Sequence, residues 1–195
     1  PSETYTALSF VCRRIGDLAS ARMYLEKALA VMERTANRTG HVNDRRSLLT
    51  EYNILANMCN AQGDYIAQKE YCTREFTVAE TLMQDTGSVQ DRRSLMLGHV
   101  HMGDVSKISG DIDGARWHYD KAIAICNAQM EEKETLENWD DLAWVYYKCA
   151  MVFEGEKRAH YRRESLRIYE MLCQKDGNTE RYPRMLECVK TEIPE

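Results

Sequence analysis

The chain has 195 residues, of which 26 are Lys or Arg and 31 are Asp or Glu, so its formal net charge is −5 at neutral pH. This acidic balance, mixed along the chain, argues against nucleic acid as the main ligand. No apolar run approaches the roughly 20 residues that a membrane-spanning helix requires. With few prolines and no low-complexity segment, the chain is expected to be ordered almost throughout.

One segment of the chain occurs twice, 47 residues apart. TGHVNDRRSL runs from Thr39 to Leu48, and TGSVQDRRSL runs from Thr86 to Leu95. The dipeptide Gly-Asp recurs at 16–17, 63–64 and 110–111. A repeat of this length is typical of a solenoid, in which each unit buries its apolar face against its neighbours. We therefore expect an all-α array of repeats, for which a binding surface is the default function.

Each repeat is predicted to begin with a helix that carries four columns of equivalent residues. The spacing of these residues within a repeat places them on one helical face. One column is small in every repeat, which allows a neighbouring helix to approach closely. The columns are Tyr5, Tyr52, His99 and Tyr146; Leu8, Leu55, Met102 and Cys149; Ser9, Ala56, Gly103 and Ala150; and Cys12, Cys59, Ser106 and Phe153.

Capping residues bound the predicted first helices. Side chains that can accept backbone N–H groups at a helix start are expected at Asp44, Asp91 and Asn138. Glycines that can adopt the left-handed conformation at a helix end are expected at Gly16, Gly63 and Gly110. A second helix follows each Gly-Asp turn, and in the first repeat its buried stripe is predicted at Ala21, Leu25, Ala28, Leu29 and Met32.

The predicted repeats cover residues 2–34, 44–82, 91–129 and 138–175, and residues 1–195 are expected to form a single array. Residues 179–191 carry apolar residues at helical spacing. They are predicted to form one more helix, either as a cap or as the start of a partial repeat. A cap is expected because the last repeat otherwise leaves an apolar face in water.

The pattern of the repeats resembles the tetratricopeptide repeat. The third repeat carries the small residue Gly103, the turn residue Gly110, and Ala115, Tyr119 and Ala122 in its second helix. The usual period of that family is about 34 residues, and the longer repeat here resembles its longer-period bacterial arrays. The resemblance implies a right-handed α-solenoid of antiparallel helix pairs. It also implies a scaffold, whose partners differ from one family member to another.

The cysteines are interpreted as packing residues. Cys12 and Cys59 hold equivalent positions that Ser106 and Phe153 fill in the other repeats. We therefore expect buried, reduced thiols in a cytosolic, cytoplasmic protein.

The histidines suggest no metal site. His99 and His101 are expected on different sides of one helix, and His118 and His160 are expected to be isolated. No recognisable catalytic or phosphate-binding motif is present, so the sequence predicts no cofactor, no metal and no enzymatic activity.

Two arginine pairs at helix starts allow two interpretations. As one possibility, Arg45, Arg46, Arg92 and Arg93 form a ladder that binds an acidic partner, because guanidinium groups grip carboxylates bidentately. As the other, they form salt bridges to acidic residues of a neighbouring repeat, such as Glu33, Glu80 or Asp85. The exact repetition favours the salt bridges.

In the family that the sequence resembles, the ligand usually lies in a concave groove lined by first helices. Candidate groove residues, counted from the glycine after each helix, are Phe10, Arg13, Arg14, Asn53, Asn57, Asn60, Val100, Asp104, Lys107, Trp144, Tyr147 and Met151. The asparagines lie 4 and 3 residues apart on one helix face, where their amides can bond an extended peptide backbone. Trp144, Tyr147 and Met151 either form an aromatic patch in this groove or lie beneath the helix predicted at 179–191.

Three functions remain open at this point. The leading hypothesis is a non-catalytic scaffold that binds a protein or peptide, as part of a larger bacterial regulatory or signalling protein. The second is a sensor domain that responds to a peptide or metabolite and controls an attached effector. The third is self-association, as a homo-oligomer, through the end repeats. A nucleic acid or membrane partner is not expected.

Overall fold

The computed structural model describes residues 2–176 and 179–193, and over these ranges the chain forms nine helices and no strand. It divides into two compact units, Pro1–Gly98 and His99–Glu195, which we call the N-terminal and the C-terminal unit. The predicted all-α fold is confirmed, whereas the continuity of one array over 1–195 stays a prediction. The helices are α1 (Ser2–Arg14), α2 (Leu18–Thr39), α3 (Val42–Ala61), α4 (Tyr65–Thr86), α5 (Val89–Ile108), α6 (Ile112–Glu132), α7 (Leu136–Ala150), α8 (Gly155–Lys175) and α9 (Arg181–Glu192).

The N-terminal unit is built from helix pairs. Helix α1 packs on α2, α2 on α3, and α3 on α4. The side chains at this core are the apolar stripes of α2 and α3, namely Leu25, Leu29, Ala36, Leu48, Tyr52 and Leu55. The predicted α2 stripe is buried at Ala21, Leu25, Ala28 and Leu29 and half-buried at Met32, whereas Leu8 of α1 stays 39% exposed.

In the C-terminal unit, α6 packs on α7, α7 on α8, and α8 on α9. Its fully buried side chains include Tyr119, Ile168, Tyr169, Leu172 and Val189. Helix α9 corresponds to the helix predicted at 179–191. Its Tyr182 and Val189 are buried, so it covers apolar surface as a cap does.

The column of small residues is buried in both units. Ser9 and Ala56 are 2% and 5% exposed. A Cβ atom added to Gly103 would lie 2.5 Å from the ring of Tyr119, so only glycine fits there without displacing that ring. The predicted close approach of first and second helices is therefore observed.

The predicted helix ends are confirmed, but the predicted N-caps are wrong. Gly16, Gly63 and Gly110 all have positive φ, between 73° and 82°. Helices α3, α5 and α7 each begin two residues before the predicted caps Asp44, Asp91 and Asn138, which therefore lie in the first helical turn. The backbone N–H of Asp91 donates instead to the hydroxyl oxygen of Ser88 at 3.1 Å, and the backbone N–H of Asn138 donates to the hydroxyl oxygen of Thr135 at 3.1 Å. The capping side chain thus stands three residues earlier in the chain.

Asp91 forms a buried ion pair with the preceding copy of the repeated segment. Its carboxylate is 0% exposed and accepts bonds from Nε of Arg46 at 2.8 Å and from a terminal nitrogen of the same guanidinium at 2.6 Å. The hydroxyls of Thr86 and Ser88 donate to it at 2.5 and 2.7 Å. The Arg46 guanidinium, followed by these hydroxyls, holds the pKa of Asp91 well below its usual value.

Arg45 has a similar partner, Asp85, at 2.6 Å. The salt-bridge interpretation of the repeated arginines is therefore confirmed for Arg45 and Arg46.

We expect Asp91→Asn to lower the free energy of unfolding by roughly 2–3 kcal/mol, because it leaves a partly buried guanidinium without its charged partner. Because the folded-state pKa is depressed, this contribution is complete above the ordinary carboxyl pKa of about 4 and is lost as the pH falls below it. Urea denaturation of both proteins at neutral and acidic pH measures the effect.

The matched control is Asp44→Asn, at the equivalent position of the first copy. Asp44 is only half-buried and accepts a bond from Thr39 at 2.6 Å. We expect a clearly smaller loss for this variant. Equal losses for the two variants would contradict the special role of the Arg46–Asp91 pair.

The two equivalent cysteines differ in exposure. Cys59 is 0% exposed, and burial raises the pKa of its thiol. Cys12 is only half-buried, so the expectation that both are buried is correct for Cys59 and wrong for Cys12. Cys12 lies on α1, which also leaves Phe10 and Val11 more than half exposed.

We therefore expect Cys12 to react with a thiol reagent in the native protein well before Cys59, because attack requires an accessible thiolate. Mass spectrometry of peptides after brief alkylation measures the order. Unfolding in denaturant should make the two rates similar. If Cys59 reacted as fast as Cys12 in the native protein, its thiol would be accessible to the reagent, which would contradict its burial.

Candidate functional site

A row of three asparagines lies along the solvent-facing side of α3. Asn53 is half-buried, and Asn57 and Asn60 are exposed. The side-chain N–H of Asn57 donates to the side-chain oxygen of Asn53 at 2.7 Å. The spacing predicted that these residues share one helical face, and this bond between neighbours in the row agrees with it.

Each side of this row opens into a cleft. The cleft between α1 and α3 has a volume of about 300 Å³ and is lined by Arg13, Asn57, Met58 and Gln62, among others. The cleft between α3 and α5 also has a volume of about 300 Å³, and Asn53, Thr50, Ser94 and Leu97 line part of it. The asparagine row is therefore the ridge between two clefts, within reach of a chain lying in either.

Helix α1 adds an apolar side chain and cationic groups to this surface. Phe10 is 58% exposed, and the guanidinium of Arg14 lies 6.0 Å from the centre of its ring. Arg13 is exposed and lines the α1–α3 cleft. An exposed phenyl ring beside two guanidinium groups can contact apolar and acidic side chains together.

A wider groove of about 970 Å³, which we call the Glu51 groove, is lined by α1, α2 and the first half of α3. Thr6, Phe10, Val11 and Thr50 line it, and Glu51 lies in its wall. Glu51 is only 9% exposed, and within the described residues its Oε2 atom has no hydrogen-bond partner. Burial raises the pKa of this carboxyl. A buried carboxylate without a partner costs stability, so it is a position where a cationic group would be bound favourably.

Sequence reasoning missed Glu51, although a signal was present. The equivalent positions of the next two repeats hold Gly98 and Val145, which are both buried. A charged residue at a position that is glycine or apolar in these two repeats marks a local departure from packing.

In the C-terminal unit, the candidate groove residues are bonded to one another. Asp104 accepts bonds from the Tyr119 hydroxyl at 2.6 Å and from Nζ of Lys148 at 2.8 Å. The same ammonium group lies 5.5 Å from the centre of the Trp144 ring. Asp104 therefore ties α5 to both α6 and α7, and its charge is already neutralised.

Lys107 and Met151 also contact each other, with 3.7 Å between Nζ and Sδ. Met151 is 38% exposed and Trp144 is half-buried, so each still reaches the surface in part.

Two candidate residues do not face solvent, which corrects the predicted groove. Val100 is 0% exposed, because its apolar side chain packs inside at the position where α3 carries the polar Asn53. Tyr147 is 8% exposed and its hydroxyl donates to Glu192 of α9. Of the two interpretations left open for Tyr147, coverage by the terminal helix is therefore the observed one.

His118 is not isolated, which corrects a further expectation. Its Nδ1 lies 3.1 Å from Nδ1 of His99 on the preceding helix. Burial and the neighbouring ring lower the pKa of His99 to about 4, and burial lowers the pKa of His118. In the first repeat a stacked pair, Tyr5 and Tyr24, holds the equivalent positions.

We expect Asp104→Ala to lower the free energy of unfolding by roughly 1–3 kcal/mol, because it leaves the Tyr119 hydroxyl buried without an acceptor. Asp104→Asn keeps an acceptor for that hydroxyl and should cost less. Chemical denaturation of both variants measures the difference. A fully stable Asp104→Ala would indicate that Asp104 faces the surface as an available groove residue.

Solved structures with a similar fold match most of this chain. The apo form of RapI matches with a TM-score of 0.61 and 12% identity over 98% of the chain. BtubC (BKLC) from P. vanneervenii gives 0.57 and 16% identity over 100%. A putative kinesin light chain from Podospora anserina with nearly identical TPR-like repeats gives 0.51 and 17% identity over 96%. The chain spans 47% of RapI, 66% of BtubC and 92% of the kinesin light chain structure.

No protein-family model matches the sequence, and no curated protein sequence matches it. At 12–17% identity, the structural likeness defines the fold alone. The chain therefore has the all-α repeat fold of tetratricopeptide-like proteins. Among the described residues, each helix is too short or too polar to cross a lipid bilayer.

Proposed function

We propose that this chain is a non-catalytic scaffold, which binds an extended peptide segment of a partner protein on the surface formed by α1 and α3. The observation that carries the proposal is the asparagine row of α3, standing as a ridge between two clefts of about 300 Å³ each. The tetratricopeptide-like fold supports the proposal, since such repeats present surfaces rather than reaction centres.

Asparagine suits the recognition of a peptide backbone. A side-chain amide carries two N–H donors and an acceptor oxygen, so it can bond an N–H and a C=O of an extended chain together. Asn57 gives one N–H to Asn53 and retains its second N–H and its oxygen. Asparagine is a poor helix former, so a row of three on an exposed face has a cost in helix stability that Glu, Lys or Gln would avoid.

The flanking residues supply selectivity. Phe10 offers an exposed ring to an apolar side chain, and Arg13 offers a guanidinium to an acidic one. Glu51 offers a buried carboxylate to a basic side chain within the Glu51 groove. The surface therefore favours a segment of mixed charge with an apolar residue, not a simple polyanion.

The proposal extends to the whole protein, of which this chain is a part: a larger bacterial regulatory or signalling protein. The longer-period bacterial arrays that the sequence resembles support this context. The chain spans only 47% of RapI, which agrees with it.

We expect Asn57→Ala to weaken binding of a cognate peptide by roughly 1–2 kcal/mol, or about 5- to 30-fold in Kd, because hydrogen bonds to the backbone are lost. A phage-displayed library of random linear peptides, selected on the wild-type chain, supplies the probe. Isothermal titration of the selected peptide with both proteins then measures Kd, and a thermal melt tests the fold.

The matched control is Asn127→Ala, an exposed asparagine of α6. It should leave both Kd and the melting temperature unchanged. An affinity unchanged in Asn57→Ala would remove the row from the site. A large fall in melting temperature of that variant would show a structural contact instead of a binding one.

A further inference from the structure

Helix α8 carries a groove lined by four arginines, which we call the arginine groove. Its volume is about 760 Å³, and its lining includes Arg158, Arg162, Arg163 and Arg167. Among the described residues, the acidic side chains in the lining are Glu164 and Glu170, so cations outnumber anions two to one there. This concentration of positive charge stands out in a chain whose net charge is −5.

The four arginines differ in the bonds that they make within the protein. Arg167 is bonded to Glu164 at 3.0 Å, and Nε of Arg162 donates to the backbone oxygen of Ile193 at 2.6 Å. Nε of Arg158 is buried and has no hydrogen-bond partner among the described residues. Arg163 is exposed to solvent. A buried guanidinium N–H without an acceptor is costly, and an incoming carboxylate would remove that cost.

The arginines of the groove form two rows along α8. Arg158 and Arg162 are four residues apart on one side, and Arg163 and Arg167 are four residues apart on the other, so each pair spans about 6 Å along the helix. About two residues of extended polypeptide cover that distance. Ala159 and Leu166 also line the groove, so an apolar side chain of the occupant finds contact there.

We infer that the arginine groove is a second docking site, which binds an acidic, extended segment of a partner polypeptide. Planar guanidinium groups bind carboxylates bidentately, which matches the charge and the spacing of the groove. Glu164 and Glu170 in its walls disfavour a continuous phosphate backbone, and its described lining residues include no aromatic ring on which bases could stack. This site uses α8, whereas the proposed peptide surface uses α1 and α3, so the two can fail independently.

Fluorescence anisotropy tests the inference with a labelled peptide of alternating Glu and Ala residues. We expect the wild-type chain to bind this peptide, to ignore the matching Lys–Ala peptide, and to lose affinity as salt is raised. Arg163→Glu should weaken binding at least about tenfold, because it replaces an attractive charge by a repulsive one. Arg163→Gln should weaken it less, and since Arg163 is exposed, thermal melts should confirm that both variants fold.

The matched control is Lys175→Glu, which makes the same charge change at an exposed position of α8 outside the groove. It should change Kd by less than about twofold, as should Asn57→Ala. An equal loss in Lys175→Glu would reveal general charge attraction and overturn the site. Tighter Arg163-dependent binding to phosphatidylserine vesicles or to single-stranded RNA than to the acidic peptide would overturn the polypeptide assignment.

Discussion

The helix pairs depend on side chains small enough to let one helix lie against the next. At Gly103 there is no room for even one methyl group beside the Tyr119 ring. The same closeness lets the hydroxyl of Ser9 donate to the backbone oxygen of Ala21 at 2.8 Å, and that of Ser165 to the oxygen of Ala143 at 2.9 Å. These two hydroxyls and backbone oxygens therefore satisfy each other across their helix pairs.

The sequence predicted the helices well, because their residues recur in columns that can be compared between repeats. It placed the second helices correctly after the Gly-Asp turns, where Asp17, Asp64 and Asp111 are the N-caps. It predicted the starts of the first helices poorly, since apolar periodicity identifies the buried face of a helix and not its first residue. Ser88 and Thr135 act as caps three residues before the predicted positions. The signal was the Ser or Thr just before each helix, a residue type whose hydroxyl oxygen accepts a backbone N–H at a helix start.

The candidate surface was predicted in part. Asn57, Asn60 and the apolar Phe10 lie in solvent, whereas Val100, at the column position of Asn53, lies inside. Counting from a turn gives the helical face, but the neighbouring helices decide whether that face is open. Glu51 was missed because the prediction compared residues by helical face, whereas its place in the wall of the groove depends on helix α1.

The bond between Arg46 and Asp91 joins two copies of the same segment, which constrains how such a gene can change in length. The first copy supplies Arg46 and the second copy supplies Asp91. Gain or loss of one whole copy renews the pair, because the new neighbour brings the missing partner. A partial insertion displaces the guanidinium and leaves a carboxylate that is 0% exposed without its counter-charge. The ion pair thereby favours changes in chain length by complete copies, which keep the arginine and the aspartate aligned.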